Sequence, residues 1–232
     1  MDFLRLVIIA VIPGIALSLG LYLTDRYDRE PVRLLLKLFL FGMLAAVPTI
    51  FMERILSGFN FFGGIFSIFW TAFIVAGLTE EYFKRLVVMK IAYNHQAFDE
   101  KLDGIIYCAY SALGFATIEN IMYVVSGFDA DPYIGWYRGI LSVPAHMLFA
   151  VTMGYYLSLA RFSPDEATRS HYFARSLIVP ILLHGTFNFI LMAGISLLMI
   201  LFIPFVIYLW IANLKKLNRF YQESKVWNKL GL

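Results

Sequence analysis

The chemistry this sequence can offer begins with two adjacent glutamates. Glu80 and Glu81 stand in Thr79-Glu80-Glu81-Tyr82-Phe83-Lys84-Arg85, just after Phe59–Ala76, a run that carries no charge. On a helix Glu80 and Lys84 are one turn apart, as are Glu81 and Arg85, so each acid is expected to have a basic neighbour. Farther along come Glu119 and Asn120, then His146, then His184 with Asn188, each inside an apolar stretch. An acid or imidazole facing lipid is costly, so the four stretches should turn these faces toward one another. His184 and Asn188 share a helix face, which allows Asn188 to orient that imidazole. Pro144 and Pro180 precede the two histidines and can each break a backbone hydrogen bond beside them.

Two imidazoles and a carboxylate match the ligand set of a catalytic zinc that keeps a position open for water. A further glutamate would then act as general base on that water. A metal-free version has a buried glutamate take the proton from water while histidine and asparagine stabilise the oxyanion. Both hydrolyse a peptide bond within the membrane, and spacing leaves both open. His-Glu-x-x-His is absent, so a soluble-type zinc protease is not supported. The non-enzymatic alternatives are a proton- or ion-coupled transporter or channel, whose ion paths also use Glu and His, and a scaffold or immunity-type membrane protein whose polar core only specifies packing. The lack of an internal repeat counts against the transporter. The histidines His95 and His171 read as solvated loop residues.

The elements that must position these groups follow from composition. Of the 232 residues 60% are apolar and only 15% charged, with a mean hydropathy of +0.73. A soluble domain of this length keeps more charge on its surface, so the fold class is an all-α polytopic membrane protein. Apolar runs long enough to cross about 30 Å of hydrocarbon fall near 3–23, 34–56, 60–92, 104–126, 137–160, 174–193 and 197–213, with a turn at Gly194. The first is read as a retained helix rather than a cleaved signal. All but Arg5, Lys37, Arg54 and Arg138 of the 19 lysines and arginines, Lys229 included, then fall on one side of a seven-span bundle. The positive-inside rule places the N-terminus outside and the C-terminus in the cytoplasm. Asn94–Asp103 and Arg161–Tyr172 read as connecting loops, and the single cysteine, Cys108, as a packing residue. The whole chain, 1–232, reads as a single transmembrane domain.

At these motifs the chain resembles the PrsW family of intramembrane proteases, a branch of the Abi/CAAX-protease superfamily. Glu80, Glu81 and Lys84 meet its Glu-Glu-x-x-Lys motif, and Phe115, Glu119 and Asn120 its Phe-x-x-x-Glu-Asn motif. His146 supplies the third motif, and His184 with Asn188 the fourth. The likeness extends to Asp25-Arg26-Tyr27-Asp28-Arg29-Glu30-Pro31 and to Phe98-Asp99-Glu100-Lys101-Leu102-Asp103-Gly104. Prenyl-processing relatives carry histidine where this chain has Glu119, which turns the expectation away from prenylated substrates. Asn188 stands where close relatives carry aspartate.

The resemblance implies a multi-pass protease of the bacterial plasma membrane that makes the first, extracytoplasmic-side cut in a single-span anti-sigma factor of the RsiW type, with no nucleic-acid partner. Glu80 and Glu81 would supply the general base and its support. His146, His184 and Glu119 would hold zinc or the developing oxyanion, and Lys84, Asn120 and Asn188 would support them.

Overall fold

The structure, a computed structural model, describes residues 3–230; the side chains of residues 227–230, Lys229 among them, lie outside the described set. Seven long helices account for nearly all of it: α1 (Phe3–Thr24), α2 (Val32–Gly58), α3 (Gly64–Ile91), α4 (Lys101–Gly127), α5 (Ile134–Arg161), α6 (Glu166–Ala193) and α7 (Ser196–Leu230). All seven are long and apolar enough to span a bilayer. The all-α expectation and the number of spans hold. An odd number of spans puts the start of α1 and the end of α7 on opposite faces of the bundle, here called the N-terminal and C-terminal faces.

Helix α4 is the hub, with 78% of its most apolar window buried against 17% for α7. It packs on α1, α2, α5 and α7. Without a hydrophobic drive between helices in lipid, close contact needs small residues at the crossings. At Gly114 an added Cβ would lie 2.0 Å from the Phe39 carbonyl oxygen of α2, and at Gly154 of α5 it would lie 2.2 Å from that of Gly104. Outward faces carry Phe3, Leu19, Val47, Phe51 and Ile200, all exposed, as lipid requires.

Several helices run beyond the apolar runs. The segment expected to be a loop as far as Tyr172 turns helical at Glu166, where Asp165 caps α6 by accepting from the Thr168 amide at 2.8 Å. Helix α4 begins at Lys101, within the other expected loop, and α7 continues well past residue 213. Hydropathy marks only what lies in hydrocarbon, whereas caps and polar turns prolong a helix into water. Gly194 does end α6, in the left-handed region at φ 62°.

At the C-terminal face the α1–α2 loop is tied to the start of α4. The Asp25 carboxylate accepts from the Glu30 amide at 3.0 Å. The Tyr107 hydroxyl donates to the Glu30 carboxylate. Asp103 accepts from the amides of Asp99 and Glu100 at 3.0 and 2.8 Å, closing a capping box with Glu100. Burial, reinforced by neighbouring carboxylates, pushes the carboxyls of Asp25 up to about 6 and of Glu30 and Glu100 up to about 7. These groups keep a proton in the folded protein that the unfolded chain has already released. Their contribution is therefore complete below about pH 4 and lost as pH rises toward about 7. Thermal melts in detergent should show the wild type less stable at pH 8 than at pH 5. In Glu30→Gln that difference should shrink by on the order of 2–3 kcal/mol, and an unchanged difference would contradict the assignment.

Candidate active site

The two glutamates reach the bundle interior through an irregular stretch of α3. Residues Trp70–Leu78 form π-helix, and the Thr79 hydroxyl donates back to the Val75 carbonyl before the α-helix resumes. A π-helix closes i→i+5 bonds and fits more residues into a given rise, so Glu80 lies less deep than an α-helical count suggests. Helix α5 repeats the device. Arg138–Ser142 is π-helical immediately before the turn that carries Pro144 and His146. Such segments concentrate at functional sites.

Glu80, Glu81, Lys84, His146 and His184 are all buried, and they form one connected network. The Lys84 ammonium donates to Glu80 Oε2 at 3.0 Å, to Glu81 Oε1 at 2.9 Å and to His146 Nδ1 at 2.9 Å. An ammonium has no acceptor capacity, so Nδ1 of His146 is the unprotonated nitrogen. Its Nε2–H then donates to Glu119 Oε2 at 2.8 Å. The Nδ1–H of His184 donates to Glu81 Oε1 at 2.9 Å, which turns its Nε2 lone pair toward Glu80. Phe149 stacks on the His184 ring at 5.0 Å and fixes its plane.

The structure thus brings Glu80, Glu81, Lys84, Glu119, His146 and His184 together. Glu81 does not pair with Arg85, which instead donates to the Phe173 carbonyl at 3.0 Å and lies over that ring. Asn188 lines the cavity, but Glu81 is the residue that orients His184. Asn120 is fully buried, donating to the Ala10 carbonyl at 2.8 Å and accepting from Arg138 Nε at 3.2 Å.

A metal fits this donor set. Candidate ligand atoms of Glu80, His146 and His184 lie within 4.8 Å of one another. Glu80 Oε2 stands 3.9 Å from His146 Nδ1 and 4.0 Å from His184 Nε2. Two ligands of one zinc lie at most about 4 Å apart, twice a bond of about 2.0–2.1 Å. Small side-chain shifts satisfy that limit, with Lys84 ceding the Nδ1 lone pair. Glu119, expected among the ligands, lies on the far ring nitrogen of His146, where it orients the imidazole as carboxylates behind metal-binding histidines do.

Above this floor is a cavity of about 530 Å³ with apolar walls from Ile50, Val75, Phe149 and Leu191. Its rim carries Glu53, Tyr123 and Arg138, which lie toward the N-terminal face. Arg138 is a site residue that sequence reasoning missed. Its Nη2 pairs with Glu119 Oε2 at 3.0 Å, and its guanidinium lies 3.9 Å from the Tyr123 ring centre. The available signal was its isolation, as a cation shortly before His146 on the side poor in basic residues. Arg138→Met should lower activity about tenfold with helix content unchanged, since a hydrogen bond to a charged group contributes about 1.5–3 kcal/mol. Arg138→Lys should recover only part, because an ammonium cannot reproduce the forked contacts to Glu119 and Asn120. Full activity in Arg138→Met would remove it from the site.

Comparison with known proteins agrees with this geometry. A family model described as PrsW family intramembrane metalloprotease matches residues 30–211. A relative named Protease PrsW from Clostridioides difficile is 42% identical over 223 residues, covering 96% of this chain and 94% of its own. Its namesakes from Bacillus subtilis and Oceanobacillus iheyensis are 40% and 37% identical, over 90% of this chain and 92% and 93% of theirs. No solved structure matches. With seven spans, a buried Glu-His-His group and this similarity over nearly its whole length, the chain belongs to the PrsW family of intramembrane metalloproteases and is a multi-pass bacterial membrane protein.

Proposed function

We propose that residues 1–232 act as a single transmembrane protease domain that makes the first, extracytoplasmic-side cut in a single-span anti-sigma factor of the RsiW type, starting release of an envelope-stress sigma factor. The observation that carries this reading is the meeting of Glu80, His146 and His184 beneath a cavity of about 530 Å³. The cations Arg26 and Arg29 of the α1–α2 loop and Lys101, Arg161 and Arg169 at helix ends lie toward the C-terminal face, which supports a cytoplasmic C-terminus and a cavity rim on the outer side.

Two imidazoles and a carboxylate favour zinc, held by Glu80, His146 and His184. When bound, the metal supplies Lewis acidity and lowers the pKa of water at its open position. The protein's own groups set the geometry around it. Glu81 holds His184 through Nδ1, and Glu119 holds His146 through Nε2. Lys84 compensates the two glutamates. The apolar walls exclude water from an extended substrate, which strengthens every polar contact within.

One observation favours a second, metal-free reading: Lys84 already uses the His146 Nδ1 lone pair and offsets part of the carboxylate charge. Glu80 would then take a proton directly from water.

Detergent-purified protein, a single-span anti-sigma substrate and metal analysis separate the two readings. About one zinc per chain, lost in His184→Ala together with cleavage, is the expected result. Glu80→Gln should lower kcat by about 100-fold or more, through loss of a zinc ligand in the first reading or of the proton acceptor in the second. Chelator-resistant cleavage by metal-free protein would select the second reading. An intact substrate under every condition would refute the endopeptidase.

A further inference from the structure

Glu53 is left over when the charges of the cavity are paired. It projects from α2 into the space bounded by Glu80, Glu119, His146 and His184. Glu80 is engaged by Lys84, and Glu119 by Arg138 and His146. No cation contacts Glu53 among the described residues: Arg138 lines the same cavity but is paired with Glu119. Its neighbour Arg54 is exposed. Glu53 is only half-buried, so its carboxylate is open to whatever enters the cavity.

Its depth is also defined. Glu53 lies about a turn and a half before the end of α2 at Gly58, or about 7–8 Å at 1.5 Å per residue. Glu80 follows several turns into α3. Glu53 therefore stands between the reacting centre and the N-terminal face. A carboxylate half removed from water recovers its lost solvation by pairing with a cation, and the surrounding low dielectric strengthens that pair. The long stem of a lysine or arginine would also bury against Ile50 and Met122.

We propose that Glu53 forms a cation-selecting subsite of the cleft, receiving a substrate Lys or Arg on the N-terminal-face side of the scissile bond. This rests on the peptidase reading of the cavity, so its test uses binding as well as cleavage. Labelled single-span peptides carrying Lys, Gln or Glu at successive positions would be titrated against the protein in nanodiscs, read by anisotropy, with cleavage followed in parallel. At one position Lys should bind about tenfold tighter than Gln, and Glu more weakly still. That preference should vanish in the near-isosteric Glu53→Gln and reverse in Glu53→Lys, with unchanged melting temperatures showing both folded. Absence of a preference at every position, or a Lys preference that survives in Glu53→Gln, overturns the subsite. Charge-selective binding without cleavage keeps the subsite and refutes the peptidase; cleavage indifferent to charge does the reverse.

Discussion

An ammonium shut away from both water and lipid must find acceptors for all three of its protons, and Lys84 sets that condition for the centre of this protein. It is 1% exposed and meets the demand with Glu80, Glu81 and His146. Each partner is then constrained in turn. His146 must present Nδ1 to Lys84 and therefore Nε2–H to Glu119, and Glu119 must face Arg138. Glu81, shared between Lys84 and His184, fixes the tautomer of the second imidazole. Removing one member of such a buried set leaves its partner charge uncompensated, at a cost of about 3–5 kcal/mol. With the acids ionised, Glu80, Glu81 and Glu119 outweigh Lys84 and Arg138, so the network retains negative charge to attract a further cation.

Four helices must converge for this to happen, and the backbone is shaped for it. Glycine crossings let α2 and α5 approach α4 at near-contact distance. The Ser111 hydroxyl of α4 donates to the Lys84 carbonyl at 2.9 Å, linking the hub helix to the very turn that bears the lysine. The π-helical segments of α3 and α5 precede Glu80 and His146 and place them at one depth. Counting in regular α-helical steps would set Glu80 deeper than His146, although Glu80 Oε2 and His146 Nδ1 stand 3.9 Å apart.

This explains which features could be read from the residues. Span number and the turn at Gly194 follow from hydropathy and glycine chemistry, which are local. The inward convergence of Glu80, Glu119, His146 and His184 follows from the cost of charge in lipid, which is general. Partner choice is neither. Helical spacing paired Glu81 with Arg85, but packing turns Arg85 toward Phe173 and gives Glu81 to Lys84 and His184. Lys84 was counted with the cations of one face, yet it is wholly interior. Asn188 was placed to orient His184 because it is close in sequence, whereas the orienting carboxylate comes from another helix.

The two faces of the bundle show why residue type alone does not assign a role. At the C-terminal face Asp25, Glu30, Glu100 and Asp103 meet without an ion-pair partner among the described residues; they bond to backbone amides and to Tyr107, Glu30 and Asp103 interact with each other, and Glu100 interacts with Ser224. Protons retained in mildly acidic solution let such a group hold two loops together. Toward the N-terminal face an equally acidic group is threaded by Lys84 and Arg138 and opens onto a cavity. There the carboxylates face cations across an open space that something can enter. The same side chain glues in one setting and acts in the other, and the difference lies in what stands opposite it.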